Sequence, residues 1–151
     1  MTFSQFVRLK KDYDLSVYKL QYMGLFNKLF NSSSSSKNTN ELPWITLSTM
    51  SQLDEIKEIS KTKPQLIFKH STRCGISRMV KKQFENDYDF SENTFDLYYL
   101  DLISYRDVSN QIAQQFQVIH ESPQLLVIKN GVVVAHHSHG DINTVDLAAF
   151  A

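Results

Sequence analysis

Apolar and polar positions fall into short regular runs from about residue 43 onward, and each run predicts one element. Trp44-Ile45-Thr46-Leu47 combines aromatic and β-branched residues and predicts a short strand. Between Ser48 and Ser60, Leu53, Ile56 and Ile59 stand three apart with Asp54 and Glu55 early, which predicts a helix that Pro64 brings to an end. Gln65 to Lys69 is a compact, mostly apolar run with the look of a buried strand, and HSTRCGIS follows as a turn. From Cys74 onward Ile76, Met79, Val80 and Phe84 recur at helical spacing. Phe95 to Asp101 predicts another strand, and Ser104-Tyr105-Arg106-Asp107 reads as a capping box opening a helix through Val108, Ile112 and Phe116. Gln124 to Lys129 and Val132 to His136 flank Asn130-Gly131, a strong two-residue hairpin signal. Asn143-Thr144-Val145-Asp146 reads as the cap of a last short helix containing Leu147 and Phe150.

The first 42 residues pattern differently. Residues 31–40, NSSSSSKNTN, contain no apolar side chain and cannot offset the entropy of ordering, so 31–42 reads as a flexible Ser-rich linker. Residues 1–30 form an N-terminal extension whose phenylalanines, leucines and basic excess would suit a surface-seeking amphipathic helix. Met23 opens MGLFNKLF just before the linker and offers a second start, which would make the stretch upstream a non-native extension. Gly24 follows it as in an acylation signal, but Lys28 stands where Ser or Thr is required, so myristoylation is not expected. Residues 43–151 then make a single domain.

With 42% hydrophobic residues in 151, the chain can close a core without metals or disulfides, which excludes global disorder. Sixteen Lys and Arg balance sixteen Asp and Glu, so no electrostatic footprint points to nucleic acid. Charges run through the first 30 residues and leave no apolar stretch for a signal peptide or membrane span. Cys74 is the one cysteine, so no intrachain disulfide can form, and a reducing cytoplasmic location is expected.

The order βαβαβα, then a hairpin and a final helix, matches a thioredoxin-like domain: an α/β fold with a central mixed sheet and helices on both faces. Cys74 falls where the second helix begins, and backbone N–H groups there favour thiolate over thiol. Lys69, Arg73, Arg78, Lys81 and Lys82 lie between Pro64 and Phe84 with no acid among them, which favours an anion further. A small buried cysteine is the alternative, and the polar neighbours Ser71, Thr72, Arg73, Gly75 and Ser77 speak against it. In a Cys-x-x-Ser arrangement the thiolate can attack a disulfide, but Ser77 cannot expel the thiol then bound to Cys74. A second thiol must finish the reaction. Substrates of this type are proteins carrying a low-molecular-weight thiol cap, and an anionic cap would gain contacts from a subset of the basic residues, foremost Lys69 and Arg73.

Phe68 to Ser77, Ser122-Pro123 about fifty residues later and Gly140 after the last strand together resemble the monothiol branch of the thioredoxin superfamily. Within it the chain is most similar to the YtxJ-like monothiol bacilliredoxins, whose motif is T-C-P-I-S. The resemblance covers residues 43–151. It implies that Cys74 attacks, that Ser77 occupies the position of a resolving cysteine, and that Ser122-Pro123 is a cis step whose backbone holds the partner; at the first helical turn Ser77 is expected to serve at most as a hydrogen-bond donor to the sulfur. With Lys69 and Arg73, the substrate-binding set is then Gly75, Ile76, Ser122 and Pro123. Arg73 before the cysteine and Gly75 in place of proline depart from the family pattern. The resemblance implies S-thiolated client proteins as partners, bacillithiol or a similar small thiol as co-substrate, and a dithiol protein as a further reductant. No bound cofactor, metal, nucleic acid or membrane is implied, and a monomer is expected.

Two other classes start from the same residues. Cys-Gly-Ile-Ser is one residue from the Cys-Gly-Phe-Ser of monothiol glutaredoxins, whose dimers can hold an iron–sulfur cluster. A thioredoxin-like binding module with an inert cysteine is the third. His136, His137 and His139 cluster without a carboxylate or cysteine at ligand spacing and read as an exposed strand end. His70 reads as a polar strand terminus, with proton transfer to a leaving thiolate as its functional alternative. Phe68 stands where many thioredoxins bury a proton-accepting aspartate, so that general-base route is not expected here.

Overall fold

The computed structural model describes residues 42–151; the expected extension and the body of the linker lie outside the described residues. The elements run β1 (Ile45–Thr46), α1 (Met50–Ile59), β2 (Gln65–His70), α2 (Gly75–Asp87), β3 (Asp96–Asp101), α3 (Arg106–Gln115), β4 (Gln124–Lys129) and β5 (Val132–Ser138). Two 3₁₀ segments, His139–Thr144 and Leu147–Phe150, follow. The five strands form one sheet in the order β1-β3-β2-β4-β5. β3 pairs parallel with β1 and β2, whereas β4 pairs antiparallel with β2 and β5, so the sheet is mixed, as the element order implies.

β2 lies at the centre and all six of its residues are buried. Because side chains alternate across a strand, it feeds two cores. Leu66 and Phe68 pack with Val80 and Phe84 of α2 and with Ile142 and Leu147 of the 3₁₀ segments. Ile67 packs on the other face with Leu53 and Ile56 of α1 and Val108 and Ile112 of α3. Trp44 closes the first core beside Phe68, Phe84 and Tyr99, and its indole N–H donates to Glu85 at 2.7 Å.

Four local expectations need correction. The first strand pairs only over Ile45 and Thr46, both exposed, because Trp44 turns toward α2 and Leu47 toward α1. In α1, Asp54 and Glu55 lie beyond the first turn; its N-terminus is closed by Gln52, whose Oε1 accepts from the N–H groups of Ser48 and Thr49. Ser104 does not cap α3, since its hydroxyl donates to Asp101 at 2.7 Å and Tyr105 is the N-cap. The C-terminal helix is two 3₁₀ segments, and of the expected capping tetrad only Asp146 caps, accepting from Ala148 N–H at 3.1 Å.

The hairpin forms as expected and its second strand extends to Ser138. Asn130 at φ 55° and Gly131 at φ 80° give the twist that a two-residue turn between right-twisted strands requires. Ser60 anchors this turn, its carbonyl accepting from Asn130 N–H and its hydroxyl from Gly131 N–H, each at 2.8 Å. Gly131→Ala should therefore cost about 1–2 kcal/mol through the left-handed backbone alone, because a Cβ there would meet only ordinary contacts with Lys57. Urea unfolding would check this; an unchanged midpoint would contradict it.

Candidate functional site

The chain leaves the C-terminal end of β2 through Ser71, Thr72 and Arg73 and enters α2 at Cys74, which is its N-cap in extended conformation (φ −104°, ψ 121°). Cys74 is half-buried, and its carbonyl already accepts from Arg78 N–H at 3.1 Å, the first bond of the helical ladder. Cys74 therefore stands at the end of the helix where free N–H groups collect.

Ser77 lies three residues on and is fully buried. Its Oγ accepts from Ser71 N–H at 3.1 Å and lies 2.7 Å from His70 Nδ1. With the imidazole protonated at Nε2, the hydroxyl donates to Nδ1. The hydrogen-bond partners of Ser77 are thus His70 and Ser71, and the expected bond to the Cys74 sulfur is not among them. His70 is 5% exposed and stacks beside Tyr99. Burial, reinforced by the Lys81 and Arg78 cations, holds its pKa below the ordinary 6.5, with Asp101 acting in the opposite sense.

The basic residues do not act as one group. Lys69 is fully buried, with Nζ 2.8 Å from His120 Nδ1 and 3.0 Å from Gln124 Oε1, so it cannot reach a cap as the sequence suggested. Alternation along β2 is the reason, since Lys69 shares the face of Ile67 rather than that of α2. Lys81 is tied to Glu85, one residue beyond the acid-free window, and lies over the rings of Trp44 and Tyr99. Asp101 brings a carboxylate from β3, 3.3 Å from the Thr72 hydroxyl. Its pKa, although burial pushes it up, is held below the ordinary value by hydrogen bonds from Ser104, Ile103 and Thr72. Arg73 remains exposed immediately before the thiol.

Gly75 and Ile76 are exposed on the first turn of α2. Ile76 and Met79 were expected on the helix's apolar face; they are 57% and 66% exposed, and the buried stripe is Ser77, Val80 and Phe84. Ser122-Pro123 is a cis peptide bond. Lys69 pairs with Gln124 in the antiparallel register, so Pro123 sits at the same end of the sheet as His70 and the turn to Cys74. Phe68 is fully buried in the α2-side core. Among the described residues no three His, Cys, Asp or Glu side chains converge as a metal-ligand set. His120 and Gln124, which hold Lys69, had no local signal in the sequence, because the contacts span 51 and 55 residues.

This mixed sheet, with a lone thiol capping α2 and a cis proline at the same end of the sheet, is a thioredoxin fold. A solved protein described by its thioredoxin fold is similar at 38% identity, with a TM-score of 0.60 over 70% of this chain and 91% of that one. Thioredoxins from Malassezia sympodialis (22% identity, TM-score 0.56, 78% of this chain and 95% of that one) and Trypanosoma brucei brucei (14%, 0.54, 74% and 90%) share the fold. The family model for monothiol bacilliredoxin BrxC matches residues 45–147, and the chain belongs to that family. It is a thiol-redox protein, and its chemistry runs through one cysteine.

The backbone before Gly75 already suits the proline that the family motif carries. Cys74 lies in the extended region preferred before proline, Gly75 opens the helix where proline is favoured, and a Cβ there meets nothing within 4 Å. Gly75→Pro should stabilise the protein by about 0.4–1 kcal/mol, read as a raised unfolding midpoint; a lowered one would contradict the geometry. Ser77→Ala strands the Ser71 N–H and the His70 ring, and should cost about 1–3 kcal/mol. The same variant should leave the rate of Cys74 alkylation within about tenfold of wild type. A loss of alkylation would show that the serine acts on the sulfur after all.

Proposed function

We propose that the protein removes a low-molecular-weight thiol from protein mixed disulfides by taking it onto Cys74. The observation that carries this reading is the pairing of a half-exposed thiol at the helix N-cap with a buried serine, in a chain that holds no second cysteine. The Cys74 thiolate attacks the cap's sulfur in the client disulfide; the S–S bond breaks, and the client sulfur leaves as a thiolate that takes a proton from solvent. Cys74 then carries the cap in a new mixed disulfide. Ser77 cannot displace it, so a second thiolate attacks the cap's sulfur, the bond to Cys74 breaks, the cap leaves joined to that thiol as an external disulfide, and Cys74 is expelled as the free thiolate. A small thiol of the bacillithiol type suits this step, as does a dithiol protein, and neither requires a bound cofactor or metal.

Recognition of the cap falls to the exposed groups. Arg73 can pair with a carboxylate, while Gly75, Ile76 and the Ser122-Pro123 backbone form the surface on which the client chain lies. This chemistry suits a reducing compartment such as the cytoplasm and a monomer, with S-thiolated proteins as partners and neither nucleic acid nor membrane involved.

A model client capped with bacillithiol, and another capped with glutathione, would be incubated with wild type and with Cys74→Ala, the cap being followed by mass spectrometry. Wild type should take up at least one of the caps and Cys74→Ala neither. Failure of wild type with both caps, together with a coloured dimer after reconstitution with iron and sulfide, would replace this reading by a cluster scaffold.

A further inference from the structure

The segment that leads into the cis proline is tied to β2 by a polar cluster, built on the buried Lys69 and Gln124, for which the thiol chemistry has no direct use. We propose that Lys69 is a positioning residue, which through His120 and Gln124 fixes the Ile119–Pro123 wall at the end of the sheet from which the chain turns to Cys74, and releases it when His120 is protonated. The inference rests on the de-thiolation reading for its consequence on turnover.

Three consecutive residues of the wall are held. Gln124, itself fully buried, donates from Nε2 to the Ile119 carbonyl at 2.9 Å, and its Oε1 accepts from Glu121 N–H at 3.4 Å. Lys69 Nζ donates to that same Oε1 at 3.0 Å and meets the His120 ring at Nδ1, 2.8 Å away. An ammonium has donors only, so Nδ1 must accept and His120 must be neutral, with its proton on Nε2. Beyond the proline the chain is pinned again, since the Pro123 carbonyl accepts from His139 N–H at 3.1 Å. The Ser122-Pro123 step therefore hangs between two anchors, and Lys69 serves the first of them.

The first anchor depends on protonation. Lys69 faces His120 from β2, Arg106 and Ser109 from α3, and Glu121 from the wall itself. A proton on Nδ1 would turn the Lys69 contact into one between two cations, with Glu121 alone opposing the repulsion. Burial, and then the charges of Lys69 and Arg106, hold His120 below the ordinary 6.5, so at neutral pH the ring is free to accept. Burial lowers Lys69 to about 8, which leaves it an ammonium at neutral pH. The anchor is thus intact at neutral pH and is lost as pH falls below 6.5 and through the lowered pKa of His120.

The test compares wild type with Lys69→Met, His120→Leu and His120→Gln. His120 is an exposed residue that turns only its Nδ1 edge toward Lys69, so its replacements keep the fold even where Lys69→Met does not. The readouts are kcat and KM on a capped client, Cys74 alkylation by iodoacetamide, and amide exchange across residues 119–123. Lys69→Met and His120→Leu should raise KM about tenfold and speed exchange by a similar factor, with kcat and alkylation unchanged. His120→Gln retains an acceptor and should keep the neutral-pH KM while abolishing the rise in KM that wild type shows below pH 6.5. Unchanged KM and exchange in His120→Leu, or a persistent acid rise in His120→Gln, would overturn the inference. A wild type that moves no cap would refute the de-thiolation reading instead, and the exchange rates would still decide whether Lys69 holds the wall.

Discussion

A strand buried on both faces can carry polar side chains only where each finds a partner, because a buried donor or acceptor left unmade costs about 1–3 kcal/mol. β2 ends in two such residues, Lys69 and His70, both buried. Alternation sends them to opposite faces. His70 turns toward α2 and meets the Ser77 hydroxyl, which also takes the Ser71 N–H. Lys69 turns toward α3 and meets His120 and Gln124. One pair of neighbours thus fastens the first turn of the thiol's helix and the segment before the cis proline.

That arrangement explains why the serine that closes the Cys-x-x-Ser motif is more than a missing cysteine. Ser77 bridges strand and helix, and its hydroxyl is spent on that bridge. The chemistry left to the site is the chemistry of a single sulfur placed at a helix N-terminus, flanked by the exposed Arg73, Gly75 and Ile76. The surrounding charge is also more balanced than the local sequence suggests, since Glu85 engages Lys81 and Asp101 reaches the turn from β3. Positive charge at the first turn of α2 therefore comes chiefly from its backbone N–H groups, and less from a field of lysines.

Most of the fold was legible because its signals are local. The apolar run of β2, the Asn130-Gly131 turn and the helical spacing of Val80 and Phe84 each needed only a few residues. Cys74 at a helix start, Ser77 at the resolving position and Ser122-Pro123 were legible from motif and order. What could not be read depends on contacts distant in sequence. Lys69 looked like an exposed cation because its partners lie more than fifty residues away in the chain. Ser104 looked like a cap because the carboxylate that claims its hydroxyl, Asp101, belongs to the end of β3. Ile76 and Met79 looked like core because their spacing matches that of Val80 and Phe84, yet the stripe facing the sheet is set by Ser77.

The central claim is that this site can form an external mixed disulfide and has no internal means of resolving it. Intact-mass spectrometry of the protein after reaction with a capped client, with all free small thiol removed, tests it directly. The account expects one cap per chain, located on Cys74, persisting until a thiol is added and then lost in full. A chain that returns to its unmodified mass with no thiol added, or one whose cap sits anywhere but Cys74, would contradict it.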